Sequence, residues 1–131
     1  MAERDLGRLL ATIDPELQHG TYLFCTDADP QAEAVARLWF REPEGVTVVL
    51  PAEEAARLGV SGAHPCEWIV LRAASDLAAV GFLAAVTEAL AGAGISVNAV
   101  SAFHHDHLFV PAGSGRDAVE VLRGLQRRHG G

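Results

Sequence analysis

The feature that most constrains the fold is an internal repeat. Residues 37–52 align without gaps on residues 97–112, so that 50–52 (Leu-Pro-Ala) falls on 110–112 (Val-Pro-Ala). In both copies the pattern predicts two strands joined by a short turn. The period is too long for a solenoid, and two copies are too few to make one. The repeat therefore predicts a duplicated module with pseudo-two-fold character.

Hydrophobic spacing and turn residues predict the elements around the repeat. In the first half we expect helix 6–13, strand 21–25, strands 37–41 and 46–50, and helix 52–58. In the second half we expect strand 68–71, helix 76–90 capped by Ser75, strands 95–102 and 107–110, and a last helix whose capping box is Ser114 and Asp117.

The predicted elements give two βαββα-type halves, of which the first is reduced because it lacks the long helix. Residues 62–65 (Gly-Ala-His-Pro) are the candidate linker, so the predicted domains are 1–63 and 64–131. The predicted class is α+β, ferredoxin-like, with an antiparallel sheet and helices on one face. Several strands are apolar on both faces, which predicts that the other half or another subunit covers the second face, and we expect a homo-oligomer.

Charge and hydropathy exclude several classes of partner. Ten basic against 17 acidic residues give a formal net charge of −7, which opposes binding to nucleic acid or to an anionic membrane surface. No run approaches the roughly 20 apolar residues of a membrane span, so we expect a cytoplasmic protein. Cys25 and Cys66 lie in predicted strands and are interpreted as small buried hydrophobes.

The second half carries a recognisable order of segments. Residues 68–71 (Trp-Ile-Val-Leu) lead into 75–82 (Ser-Asp-Leu-Ala-Ala-Val-Gly-Phe), then 90–98, Ser101 and 106–111. This order resembles the ACT modules of aspartate kinases and of arginine-sensing proteins. The whole chain looks like the small stand-alone bacterial proteins made of two ACT-like halves. The resemblance implies a tandem ferredoxin-like fold that binds an amino acid or another small effector.

The resemblance also implies where a ligand would bind. In similar proteins an effector lies between the loop after the first strand and a neighbouring module, and a helix N-terminus favours a carboxylate. The candidate ligand-binding residues are Ser75, Asp76, Leu77, Gly81, Phe82 and Asn98. Asp76 would meet an ammonium group, and Gly81 would permit close backbone approach. The alternative is structural: Ser75 as a plain N-cap, Asp76 as a first-turn acid, and Gly81 as a packing contact.

Residues 104–107 (His-His-Asp-His) form a rival signal, because imidazole and carboxylate groups suit Zn²⁺ or Ni²⁺. In a strand, however, His105 and His107 share one face while His104 and Asp106 share the other. Neither pair completes a site. His105 and His107 remain weak metal candidates.

Enzymatic motifs are missing from the sequence: there is no nucleophile elbow, no phosphate-binding loop ending in Lys, and no cysteine pair with metal spacing. A nucleophile pair of Cys66 with His64 or His105 is conceivable, but burial would raise the pKa of the thiol. We therefore predict no catalytic residues and no cofactor.

Three functions remain in order of preference: regulatory binding of an amino acid, a structural or interaction module without ligand, and metal binding.

Overall fold

The computed structural model describes residues 2–131, which fall into two units. One unit is His19–Cys66, and the other combines residues 2–18 with Glu67–Gly131. The sequence-based division at residue 63 assigned the first 18 residues to the first half, whereas in the structure they lie with the second.

Within the described residues the chain forms five helices and seven strands. The helices are α1 (Leu6–Ala11), α2 (Pro30–Val35), α3 (Ala52–Leu58), α4 (Phe82–Gly92) and α5 (Gly115–Arg128). The strands are β1 (Pro15–Leu17), β2 (Tyr22–Thr26), β3 (Leu38–Glu42), β4 (Gly45–Pro51), β5 (Ala63–Leu71), β6 (Asn98–Ser101) and β7 (Asp106–Pro111).

The His19–Cys66 unit is a complete β-α-β-β-α-β module. Its strands are ordered β3-β4-β2, followed by the first part of β5. The pairs β3–β4, β4–β2 and β2–β5 are all antiparallel. Helices α2 and α3 pack over a small core in which Cys25, Val48 and Leu50 are fully or almost fully buried. The predicted linker at 62–65 is therefore wrong, because Ala63 already lies in β5, paired with Phe24.

Helix α2 was missed by the sequence patterns, which indicated only a turn at this position. Asp29 is its N-cap, and the side chain of Asp29 accepts a hydrogen bond from the Ala32 N–H at 2.9 Å. Pro30 occupies the first turn, where a proline loses no helical hydrogen bond. With six residues the helix is too short for its hydrophobic period to be visible.

In the other unit the strand order is β1, the second part of β5, β7 and β6. β1 pairs antiparallel with β5, so that Pro15 lies opposite Leu71 and Leu17 opposite Ile69. β1 thus supplies the fourth strand of this module, and α1 brings Leu9 and Ile13 into its core, both fully buried. The N-terminal 18 residues complete the C-terminal module.

Alternation along β7 shows that the helices cover one face of this sheet. Leu108 and Val110 belong to the core with residues of α4 and α5, whereas His107 and Phe109 contact Trp68 on the opposite face. The predicted α+β class, with antiparallel strands and helices on one face, is confirmed. No helix in the described part of the chain is long and apolar enough to span a bilayer.

The start of α5 is capped differently from the prediction. Ser114 takes helical backbone angles, and its side chain makes no capping bond. Instead, the Glu67 carboxylate reaches from β5 and accepts from the N–H groups of Gly113 at 2.7 Å and Gly115 at 3.0 Å. The Glu67 carboxylate thus lies at the positive end of the helix dipole, although Glu67 is distant in sequence from α5.

Candidate functional site

The loop between β5 and α4 forms one wall of a cleft of about 140 Å³. Five of the six residues predicted to bind ligand line this cleft: Ser75, Asp76, Leu77, Gly81 and Phe82. The sixth, Asn98, does not line it; it lies exposed on β6, opposite Phe109. The structure thus gathers the loop and helix residues and leaves Asn98 outside.

Helix α4 begins at Phe82, six residues later than predicted. Asp76 starts a tight turn, because its Oδ1 accepts from the Ala78 N–H at 2.7 Å. Gly81 has φ of 92°, a left-handed conformation that glycine adopts without strain. Since Ser75 lies before this turn, it caps no helix, and the predicted N-cap role is wrong.

Asp106 is a charged residue of the cleft that the sequence patterns did not assign to it. Its side chain is buried to 3% exposure, and Oδ2 accepts a 2.8 Å hydrogen bond from the Ser75 hydroxyl. The position could have been found from strand alternation, because Asp106 shares the core-facing side of β7 with Leu108 and Val110. A carboxylate at that position of the strand is buried under the helices, and it needs a hydrogen-bond donor there.

The first turn of α4 forms the second polar wall. Its N-cap, Gly81, offers no side-chain acceptor, and the turn contains no acidic residue. The first N–H groups of a helix have no partner within the helix. The lining of the cleft therefore includes both the backbone donors at the start of an 11-residue helix and the Asp106 carboxylate.

The N-terminal segment holds the loop in place. Glu3 donates its N–H to the Ala74 carbonyl at 2.8 Å and accepts from the Asp76 N–H at 2.9 Å. Arg4 lies 3.4 Å from the Asp76 carboxylate. Leu6 is the side chain nearest to Gly81, 3.5 Å from where a Cβ on that glycine would lie. The loop conformation therefore depends on residues 3–6.

The pKa of Asp76 is lowered from its ordinary value by the Ala78 N–H and by Arg4. A carboxyl whose pKa is lower in the folded state stabilises that state above the unfolded pKa, and this contribution disappears as pH falls through the folded pKa. We expect Asp76→Asn to be less stable than the unmodified protein at pH 6 and the gap to narrow below about pH 4. Urea unfolding from pH 6 to 3 measures this; a constant gap would contradict it.

The side chains of Asp106 and His107, within the segment 104–107, have different partners. Asp106 bonds to Ser75, while the Nδ1 of His107 accepts from the Trp68 indole at 3.1 Å. Burial, with a smaller effect of His105, lowers the pKa of His107. Across residues 2–131 no three His, Cys, Asp or Glu side chains are grouped to hold a metal ion.

Cys66 is buried, and its thiol lies 3.4 Å from the Tyr22 carbonyl, which accepts its hydrogen bond. Burial raises the pKa of Cys66 to about 11. A thiol with this pKa stays protonated near neutral pH, so Cys66 is a poor nucleophile.

Comparison with protein-family models gives two matches that overlap by five residues. Residues 1–67 match one ACT-domain model, and residues 63–124 match another. Among curated proteins, none is similar enough in sequence to count as a relative.

Several solved structures have a similar fold. A Vibrio cholerae protein of unknown function, described as a possible transport protein, is 36% identical, with a TM-score of 0.81 over 92% of this chain and 95% of its own. An Agrobacterium tumefaciens protein is 19% identical, with a TM-score of 0.68 over 86% and 87%. The ligand-free regulatory subunit of Thermus thermophilus aspartate kinase is 8% identical, with a TM-score of 0.64 over 87% and 97%. At their low identities the last two show similarity of fold alone.

Proposed function

The chain belongs to the ACT-domain family, whose members are regulatory modules that generally bind small molecules such as amino acids, and from this premise we propose that it binds a small amino acid. The ligand would occupy the cleft between the 75–81 loop and the start of α4. The protein would act as a sensor without catalytic residues or cofactor.

The observation that carries this proposal is that backbone donors and a carboxylate line the same cleft. Backbone N–H groups at a helix N-terminus favour a carboxylate. The Asp106 carboxylate, fixed by Ser75, would receive the ammonium group. An α-amino acid presents both groups on one carbon, so it fits a short bipolar cleft.

Size sets the preference among amino acids. A volume of about 140 Å³ lies well below the roughly 300–1,000 Å³ of pockets for drug-sized ligands. Leu77, which lines the cleft, is 63% exposed and would contact a small side chain. Glycine, alanine, serine and threonine are therefore the preferred candidates.

Self-association is part of the same proposal. β3 pairs with β4 on one side only, and it carries Phe40 with 63% and Trp39 with 39% exposure. An exposed edge strand with large apolar side chains is a surface that proteins usually cover. A homo-oligomer would cover it.

Thermal-shift and calorimetric screening of the twenty amino acids tests the binding proposal. A ligand that prefers the folded state must raise its stability, and at 100 times Kd the gain is about 2.7 kcal/mol. We expect a small amino acid to do this and Asp106→Asn, which keeps an acceptor for Ser75, to weaken binding at least about tenfold, because a charge-assisted bond is lost.

Asp117→Asn is the matched control, because Asp117 is an exposed acid outside the cleft. Its binding should equal that of the unmodified protein. No stabilisation by any amino acid at millimolar concentration would instead support an interaction module without ligand.

A further inference from the structure

A second cleft, separate from the one at Ser75, lies between β1 and α5. Its volume is about 600 Å³, within the usual range for small-ligand pockets. Residues 14–17 form one wall, and Arg116, Val119, Glu120 and Arg123 form the other. None of these residues lines the Ser75 cleft.

The two walls run in opposite directions. Leu17 approaches the first turn of α5, because a Cβ at Gly115 would lie 2.8 Å from Leu17 Cδ1. Asp14 approaches the other end, where its N–H donates to Gln126 Oε1 at 2.9 Å. The four residues 14–17 and the eight residues from Arg116 to Arg123 each span about 10 Å. The cleft is thus an elongated trough.

Most of its charges already have partners. Arg123 pairs with Glu120 at 3.2 Å, and Glu16 lies 3.7 Å from Arg72. Arg116 and Asp14 form no ion pair with any residue that the structure describes. One unpaired cation and one unpaired anion therefore lie at opposite ends of the trough.

The position of Arg116 is not explained by helix stability. It is the second residue of α5, where the helix dipole disfavours a cation. A guanidinium there is suited to bind a carboxylate, to which it can donate two parallel hydrogen bonds.

The strand wall offers an open backbone edge. The Asp14 carbonyl accepts from the Arg72 N–H, directly after β5, and the Gln18 N–H donates to the Trp68 carbonyl in β5. In an antiparallel ladder the bonded side alternates along the strand, so the N–H and C=O of Leu17 point away from β5. No other strand of the described chain pairs with β1.

We propose that this cleft binds a short linear zwitterion of dipeptide length. Its carboxylate binds Arg116, its ammonium group binds Asp14, and its amide pairs with the free N–H and C=O of Leu17. A two-residue peptide spans about 7 Å, and the two charged side chains close the remaining distance. Pro15 and Val119 supply apolar contact. The proposal is independent of amino-acid binding at Ser75.

Titration with dialanine, followed by amide NMR and calorimetry on the full chain, tests this site. We expect saturable shifts at Leu17 and Val119 and a Kd that rises about tenfold in Arg116→Gln. N-acetyl-dialanine and dialanine amide, which each lack one charge, should bind at least fivefold more weakly. Arg128→Gln is the matched control, since it removes an exposed cation of the same helix away from the cleft.

Three results would overturn the proposal: no saturable shift at millimolar dialanine, equal weakening by Arg128→Gln, or shifts confined to residues 75–84. The last result would mean that the dipeptide uses the Ser75 cleft. If free amino acids do not bind in the Ser75 cleft, the NMR shifts at Leu17 on addition of dialanine are still expected. Each proposal can therefore be disproved without the other.

Discussion

Deletion of residues 2–18 is expected to unfold the unit that contains Glu67–Gly131. The deletion removes α1 and β1, and with them Leu9, Leu10 and Ile13, whose exposures are 0%, 4% and 0%. Burying one such side chain contributes about 1.5–3 kcal/mol. Three of them approach the 5–15 kcal/mol that stabilises a typical domain. The loss of strand pairing along β5 adds to the effect.

Circular dichroism and amide NMR of the fragment 64–131, which lacks residues 19–63 as well as 2–18, provide the measurement. This fragment matches the second domain predicted from sequence, and we expect dispersed resonances to be absent. The control joins residues 67–131 to residues 2–18 through a flexible linker of about 15 residues, which reaches about 20 Å. We expect this permuted chain to fold. A well-folded 64–131 fragment would show that the N-terminal segment is dispensable.

Replacing Glu67 is expected to give the largest loss of stability among substitutions of charged residues. Glu67→Ala leaves the N–H groups of Gly113 and Gly115 without their acceptor and removes an anion from the start of α5. Hydrogen bonds to a charged group contribute about 1.5–3 kcal/mol, and loss of an N-cap costs about 0.5–2 kcal/mol. We expect unfolding free energy to fall by about 2–3 kcal/mol.

Urea denaturation of three variants separates charge from hydrogen bonding. Glu67→Gln keeps an acceptor and should cost about 1 kcal/mol, because only the charge interaction with the helix dipole is lost. Glu88→Ala, an exposed acid on α4, should change stability by less than about 0.5 kcal/mol. Equal losses for Glu67→Ala and Glu88→Ala would show that Glu67 does not stabilise α5.

The sequence predicted elements best where the signal is local. The two hairpin copies lie at 38–51 and 98–111, within about a residue of the repeat, and α3 occupies the predicted residues 52–58. Turn chemistry and alternating burial act between residues two to four apart, so a single segment contains the information. The loop residues from Ser75 to Phe82 were placed together by the resemblance to ACT modules.

Prediction was poorest where a residue's role depends on a distant partner. The sequence suggested a helix from residue 76 because Ser75 resembles an N-cap, but the Ser75 hydroxyl donates to Asp106 and the helix begins after Gly81. Asp106 was grouped with its histidine neighbours, although its register places it in the core. A local sequence pattern does not show whether Asp106 lies in a histidine cluster or in the core. A buried carboxylate needs a hydrogen-bond donor, and the packed structure decides which residue supplies it.

The sequence by itself determined the duplicated α+β module, its hairpins and the membership of the loop that lines the candidate cleft. Only the tertiary structure decided that β1 pairs with β5, that Glu67 caps α5, and that Asp106 completes the cleft. A three-residue strand has no periodicity of its own, and its partner is chosen by the burial and hydrogen bonding of the whole unit. Contacts between residues far apart in sequence are set by that global packing.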